Sequence, residues 1–96
     1  IFPPLASQAG TINDVQQLTG VQVAPNPMKD LTVITLPPNA GEIQFELYDL
    51  LGRVVQTQTT NEWQLEVPRN GLMSGIYTYR IEAKNGRVAS GKLLLE

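Results

Sequence analysis

From Val21 onward, no apolar pattern in this chain runs for more than a few residues before a proline, a glycine or an Asn-Gly pair interrupts it. That rhythm excludes most folds. An amphipathic helix needs ten or more residues with apolar positions three or four apart, whereas runs of four to eight with a period of two are strands. Ile43, Phe45 and Leu47 alternate with Gln44, Glu46 and Tyr48, and Trp63, Leu65 and Val67 with Gln64 and Glu66. Tyr77, Tyr79, Ile81 and Ala83 alternate with Thr78, Arg80 and Glu82. Val21 and Val23 begin a short strand that stops at Pro25-Asn26-Pro27, and a β-rich run from Leu31 to Leu36 stops at Pro37-Pro38. Proline cannot donate to a ladder and pushes the residue before it to an extended conformation. Arg53 to Thr57 and Arg87 to Leu95 complete the set.

The punctuation also has meaning. Asp49-Leu50-Leu51-Gly52 reads as a tight connection, with Gly52 free to take positive φ and Asp49 able to cap its own turn. Asn70-Gly71 and Ser74-Gly75 mark a loop, and Asn85-Gly86 predicts a two-residue type I′ hairpin with positive φ at both positions. The expectation is an all-β, immunoglobulin-like antiparallel β-sandwich of about seven strands, closed by a C-terminal hairpin. Leu93, Leu94 and Leu95 stay apolar to the last positions, so the tail is expected to be paired within the sheet rather than frayed.

Ahead of this, residues 1–19 read as a linker. Pro3, Pro4, Ser7 and Gly10 precede a polar stretch of Asn13, Asp14, Gln16 and Gln17. Ile12, Val15 and Leu18 are three apart, but a helix so short is marginal in water and the linker reading is preferred. The start, Ile1-Phe2-Pro3-Pro4, has neither an initiator Met nor a basic-then-apolar signal pattern, which leads to the expectation of a fragment of a longer protein. The folded domain is expected over residues 20–96.

Chemistry is scarce. There is no cysteine and no histidine in the 96 residues, so disulfides, thiolate metal sites and the commonest general base are excluded. A net charge of −2 gives no basic face for nucleic acid. No apolar run approaches the roughly 20 residues that span a bilayer as a helix. The serines Ser7, Ser74 and Ser90 have no histidine to activate them, and Ser90 with Lys92 is read as a solvated strand face. The acids fall singly at polar strand positions, and Asp30 and Asp49 near turns do not form a calcium loop. Trp63, Tyr77 and Tyr79 sit at apolar positions and are expected in the core rather than as a sugar-stacking platform. The reading is a non-enzymatic module with no cofactor and no metal.

Three motifs, in order, carry a resemblance. Val21-Gln22-Val23-Ala24-Pro25-Asn26-Pro27 resembles the "V-x-x-Y-P-N-P" opening of the C-terminal sorting domains of the type IX (Por) secretion system. Leu47-Tyr48-Asp49-Leu50-Leu51-Gly52-Arg53 is similar to their "L-Y-D-x-x-G-R/K" motif. Leu72-Met73-Ser74-Gly75-Ile76-Tyr77, with Asn85-Gly86-Arg87-Val88 and Lys92-Leu93, looks like their closing hairpin. Ala24 stands where the family usually has an aromatic residue, and Glu96 where a basic residue is common.

The resemblance, which covers about residues 20 to 96, implies a job. A cargo carrying this label crosses the periplasm, is recognised by the type IX translocon and its shuttle proteins, and passes the outer membrane. A sortase-like cysteine peptidase then cuts in the linker, between Leu5 and Val21, and the cargo is released or joined to lipopolysaccharide at the cell surface. Fold maintenance is expected of Pro25, Pro27, Gly52, Gly75 and Gly86, and core packing of Tyr77. Arg53, Arg87 and Lys92, together with Leu93, Leu94, Leu95 and Glu96, are the candidate recognition surface. The rival reading is an extracellular Ig-like binding module, adhesin or carbohydrate-binding, appended to a secreted protein.

Overall fold

In the computed structural model, which describes residues 17–38 and 40–96, the alternating runs become seven strands with no helix among the described residues. They are β1 (Gln22–Ala24), β2 (Leu31–Thr35), β3 (Ile43–Tyr48), β4 (Val54–Thr60), β5 (Gln64–Pro68), β6 (Gly75–Ala83) and β7 (Val88–Leu95). Antiparallel pairing builds a three-stranded sheet in the order β1-β2-β5 and a four-stranded sheet in the order β4-β3-β6-β7. The expected all-β sandwich is the fold that forms.

The period of two places the core. Ile43, Phe45 and Leu47 of β3, Tyr77 and Ile81 of β6, and Leu93 and Leu95 of β7 turn inward from the larger sheet. Ile34 of β2 with Leu65 and Val67 of β5 meet them from the smaller one. Trp63 does not join them. It is 62% exposed, because β5 begins only at Gln64 and the chain bends at Glu62 and Trp63. Alternation extrapolated through a bend assigns the wrong face.

The turns differ from expectation at one place. Asn85-Gly86 is not a type I′ pair, since Gly86 has φ 92° while Asn85 keeps negative φ. Gly86 N–H donates to Ala83 O and Ala83 N–H to Arg87 O, at 2.9 and 2.8 Å. This is the three-residue loop that closes on a left-handed glycine. The Asp49–Arg53 turn repeats the same two bonds, Gly52 N–H to Asp49 O and Asp49 N–H to Arg53 O, both 3.0 Å. The type I′ geometry belongs to Asn70-Gly71, with φ of 54° and 76° and a bond from Leu72 N–H to Arg69 O. It lies in the crossover from β5 to β6, between the sheets.

One side of the sandwich is closed by side chains. Gln56 and Gln58 of β4 donate from Nε2 to Pro68 O and Glu66 O of β5, at 3.0 and 2.8 Å. The glutamines thus satisfy backbone acceptors on the open edge of the smaller sheet. Within the larger sheet, Gly91 faces Tyr79 across β7 and β6, and the ring occupies the space a side chain would need. A Cβ on Gly91 would lie 2.6 Å from the Tyr79 hydroxyl and 2.8 Å from Cζ. Gly91→Ala is therefore expected to cost about 1–3 kcal/mol in denaturant unfolding. Most of that loss should return in the double variant with Tyr79→Leu; equal costs with and without the ring would show that the overlap is not the cause.

Candidate functional site

The C-terminal strand β7 is last in its sheet, so one row of its backbone N–H and C=O groups has no strand beside it. Such an edge is normally a liability. Here two short pieces of the chain cover it, at three places. At the hairpin end, Leu18 N–H donates to Val88 O at 2.9 Å, and Gln17 bridges Val88 in parallel. At the tail end, Met28 bridges Leu95 in parallel. Its N–H donates to Leu94 O at 2.8 Å, and its carbonyl accepts from Glu96 N–H at 2.9 Å. Leu18 and Met28 are both buried, so each bridge is anchored by an apolar side chain. Leu18 belongs to the packed domain although it precedes residue 20.

Between them stands Asn26. Its Nδ2 donates to Lys92 O at 2.9 Å and its Oδ1 accepts from Leu94 N–H at 3.0 Å. A carboxamide carries the same donor and acceptor as a peptide group, so the side chain acts as a surrogate residue of a neighbouring strand. The sequence explains why a surrogate is needed: Pro25 and Pro27 have no N–H to offer a ladder. Thr32, fully buried, ties the turn down by donating from Oγ1 to Pro25 O at 2.7 Å.

Arg69, absent from the sequence-based candidates, fastens the end of the tail. Its Nη1 donates to the Glu96 main-chain oxygen at 2.6 Å and to Lys29 O at 2.8 Å. Nε donates to Leu72 O and Nη2 to Ser74 Oγ, at 2.8 and 3.0 Å. One guanidinium, with its fixed fork of five donors, joins the segment after Pro27, the β5–β6 crossover and the tail. No spacing or periodicity marks such a residue; the only local signal is an arginine between a strand-ending proline and the Asn-Gly turn.

The middle motif is a self-contained turn. Asp49 Oδ1 accepts from Leu51 N–H and Arg53 N–H at 2.9 and 3.0 Å, and Oδ2 from Arg53 Nε at 2.9 Å. The Arg53 N–H, with its side chain and the Leu51 N–H assisting against partial desolvation, holds the Asp49 carboxyl below its ordinary range. Tyr48 donates its hydroxyl to Glu46, and that bond raises the phenol above its usual value. Tyr77 is buried and donates to Met73 O at 2.7 Å, and Asn85 Oδ1 accepts from Arg87 N–H at 3.0 Å.

The structure therefore divides the recognition candidates. Leu93 and Leu95 point into the core, while Lys92, Leu94 and Glu96 are exposed. Arg53 lies in the turn at the tail end of the sheet, since Tyr48 pairs with Thr78 and Thr78 with Lys92. Arg87 lies in the hairpin at the other end, roughly 30 Å from Glu96 along an extended strand, so it shares no patch with the tail. Among the described residues no group of three or more His, Cys, Asp or Glu could hold a metal ion, and no helix is long and apolar enough to cross a membrane.

Comparisons with known proteins converge on this stretch. A family described as "Secretion system C-terminal sorting domain" matches residues 22–96. The ulvan lyase NLR42 of Nonlabens ulvanivorans is 32% identical over 83 residues, which cover 85% of this chain but 15% of that protein. A solved structure of PorZ, an essential bacterial surface component of the type-IX secretion system of Porphyromonas gingivalis, superposes with a TM-score of 0.71 at 19% identity. That match covers 83% of this chain and 12% of the PorZ chain, and at such identity it speaks for the fold alone. The chain thus corresponds to a small part of each relative.

Two outcomes follow from the geometry. Asn26→Ala removes two bonds worth about 0.5–1.5 kcal/mol each, so the Leu94 amide should exchange hydrogen roughly tenfold faster while Phe45 and Ile81 amides keep their protection. Unchanged Leu94 exchange would mean that Met28 alone holds the edge. For Asp49, whose folded value is depressed, the stabilisation is present above the unfolded value of about 3.9 and is lost as pH falls through the folded one. Asp49→Asn should accordingly flatten the melting temperature against pH on the acid side of about pH 4, and leave its slope above pH 5 unaltered.

Proposed function

This chain belongs to the secretion system C-terminal sorting domain family, and we propose that its tail, held as an ordered strand on the sandwich, is what the type IX export machinery reads. A domain of this family is a sorting signal and not a catalyst, and its cargo is bound for the cell surface or beyond. The observation that carries the reading is the coincidence of the family match, residues 22–96, with a fold in which the Pro25-Asn26-Pro27 motif, Met28 and Arg69 all converge on β7. The motif is where it is in order to hold the tail.

The finer steps of the proposal are these. The cargo transits the periplasm, the translocon and its shuttle proteins engage the domain, and a sortase-like cysteine peptidase cuts ahead of it. Leu18 is packed in the core and bonded to β7, and a peptidase needs backbone that is neither buried nor hydrogen-bonded. The cut is accordingly placed before Gln17, within the window that opens at Leu5. The binding-module reading has one exposed aromatic among the described residues in its favour, Trp63. Tyr77 is buried and Tyr79 packs against the core, so they form no stacking platform with it, and sorting is preferred.

The test is a fusion of residues 1–96 behind a periplasmic signal peptide and a fluorescent reporter, expressed in a bacterium with a type IX system. A strain lacking the translocon and a fusion ending at Gly91 are the controls. Surface or secreted reporter is expected only with both translocon and tail, and its C-terminal mass should place the cut before Gln17. Reporter that stays periplasmic in every strain, with the domain folded, would refute the sorting function; a cut beyond Leu18 would refute only its placement.

A further inference from the structure

A turn of the Asp49–Arg53 kind requires its aspartate and its glycine but nothing apolar between them. Yet Leu50 and Leu51 each stand 78% exposed at its tip. Met73, in the crossover that enters β6 at the same end, is 80% exposed. On the outer face there, Ile76 of β6 stands opposite Leu94 of β7, and Val54 of β4 opposite Tyr48 of β3; Ile76, Leu94 and Val54 are all exposed. Six of the eight large exposed hydrophobics among the described residues thus gather at the tail end of the four-stranded sheet. A concentration of this sort is what marks an interaction surface, where scattered single residues would not.

The surrounding charges narrow the partner. Lys92, on the outer face of β7 beside Thr78, and Arg53, whose side chain is 73% exposed, flank the apolar residues. The neighbouring carboxylates are engaged: Asp49 in its turn and Glu46 by Tyr48, opposite Arg80. Glu96 is the acid left at the margin. Arg53 is itself paired with Asp49 at 2.9 Å, which leaves Lys92 beside Glu96, far short of the clusters of four to eight cations that bring a surface to an anionic membrane. An apolar face with one such cation at its margin complements a protein groove with an aliphatic floor and an acidic contact for Lys92.

We propose that the export machinery reads this end face as a folded surface. The tail is recognised in place on the sheet, with Leu94 beside Ile76 and the Leu50-Leu51 tip, and is seated in such a groove. The proposal rests on the sorting function above and adds residues outside the tail to what is read. It also assigns a role to the clamp: Asn26, Met28 and Arg69 fix where Leu94 and Lys92 stand.

The test uses the reporter fusion with Leu50→Ser/Leu51→Ser and, separately, Ile76→Thr, which keeps a strand-forming residue. Both leave the core untouched, and a wild-type melting temperature with intact protection of the Leu94 amide verifies the fold. Met73→Ser replaces either variant that fails this check. Surface reporter is expected to fall at least tenfold, and Lys92→Glu should lower export several-fold where Lys92→Arg does not. Wild-type export of the folded variants overturns the proposal and leaves the sorting function standing, whereas failure of the unmodified fusion overturns both. A concentration-dependent dimer in sedimentation, or binding to anionic phospholipid vesicles, that the leucine pair alone abolishes would assign the face to a second copy or to lipid and equally overturn it.

Discussion

The edge of β7 is the constraint around which the rest of this domain is arranged. A strand at the end of a sheet lacks a neighbour on one side, and its unpaired edge is a liability. Yet β7 contributes Leu93 and Leu95 to the core, so losing it would open the sandwich. The chain answers by returning its N-terminal segments to that edge. Leu18 binds at Val88, and the Asn26–Met28 segment binds from Lys92 to Glu96. The contacts are far apart in sequence, 68 residues for Asn26 and Leu94 and 70 for Leu18 and Val88, so the tail can be held only once both sheets have formed. An ordered tail is then a signature of a completed fold.

Carboxamides help to close two of the sheet edges. Asn26 lies along β7, and Gln56 with Gln58 reaches from β4 to the acceptors of β5. A neutral amide side chain can satisfy backbone groups without extending the ladder, because it ends where a true strand would present a further edge. Lysine or proline, the more usual protection, would leave the polar groups to water. For Asn26 the two flanking prolines make the point sharper: they remove N–H groups from the stretch, and the side chain restores one donor at the register where Lys92 O needs it.

Much of this was legible in the residues. Ile43, Phe45, Leu47, Leu65, Val67, Tyr77 and Ile81 follow the period of two, because a strand has no freedom to place neighbours on the same face. Where the backbone departs from a regular strand, the inference failed. Trp63 precedes its strand across a bend, and the Asn85-Gly86 hairpin gained a residue while Asn70-Gly71 took the type I′ form. Dipeptide preferences describe which residues tolerate a turn, and the register of the flanking strands decides which turn is made. The clamp itself was recognisable only in part. Proline and asparagine stood out as a motif, but the partners of Asn26 and the four bonds of Arg69 exist only when distant segments meet, and no local pattern encodes them.

The same alternation that builds the core also separates holding from display within the tail. Odd positions of β7, Leu93 and Leu95, face inward and are fully used by packing; even positions, Lys92 and Leu94, face outward. A linear peptide of this sequence would present all of them together and could be mistaken for any flexible apolar tail. Pairing against β6 removes half from view and sets Leu94 beside Ile76, so that the folded domain presents a surface whose composition no unfolded chain reproduces. Rigidity lowers the ordering cost of binding, and it also makes recognition conditional on folding. Under the proposed recognition, a surface that exists only when the domain is complete discriminates against misfolded or truncated chains without any separate checking step.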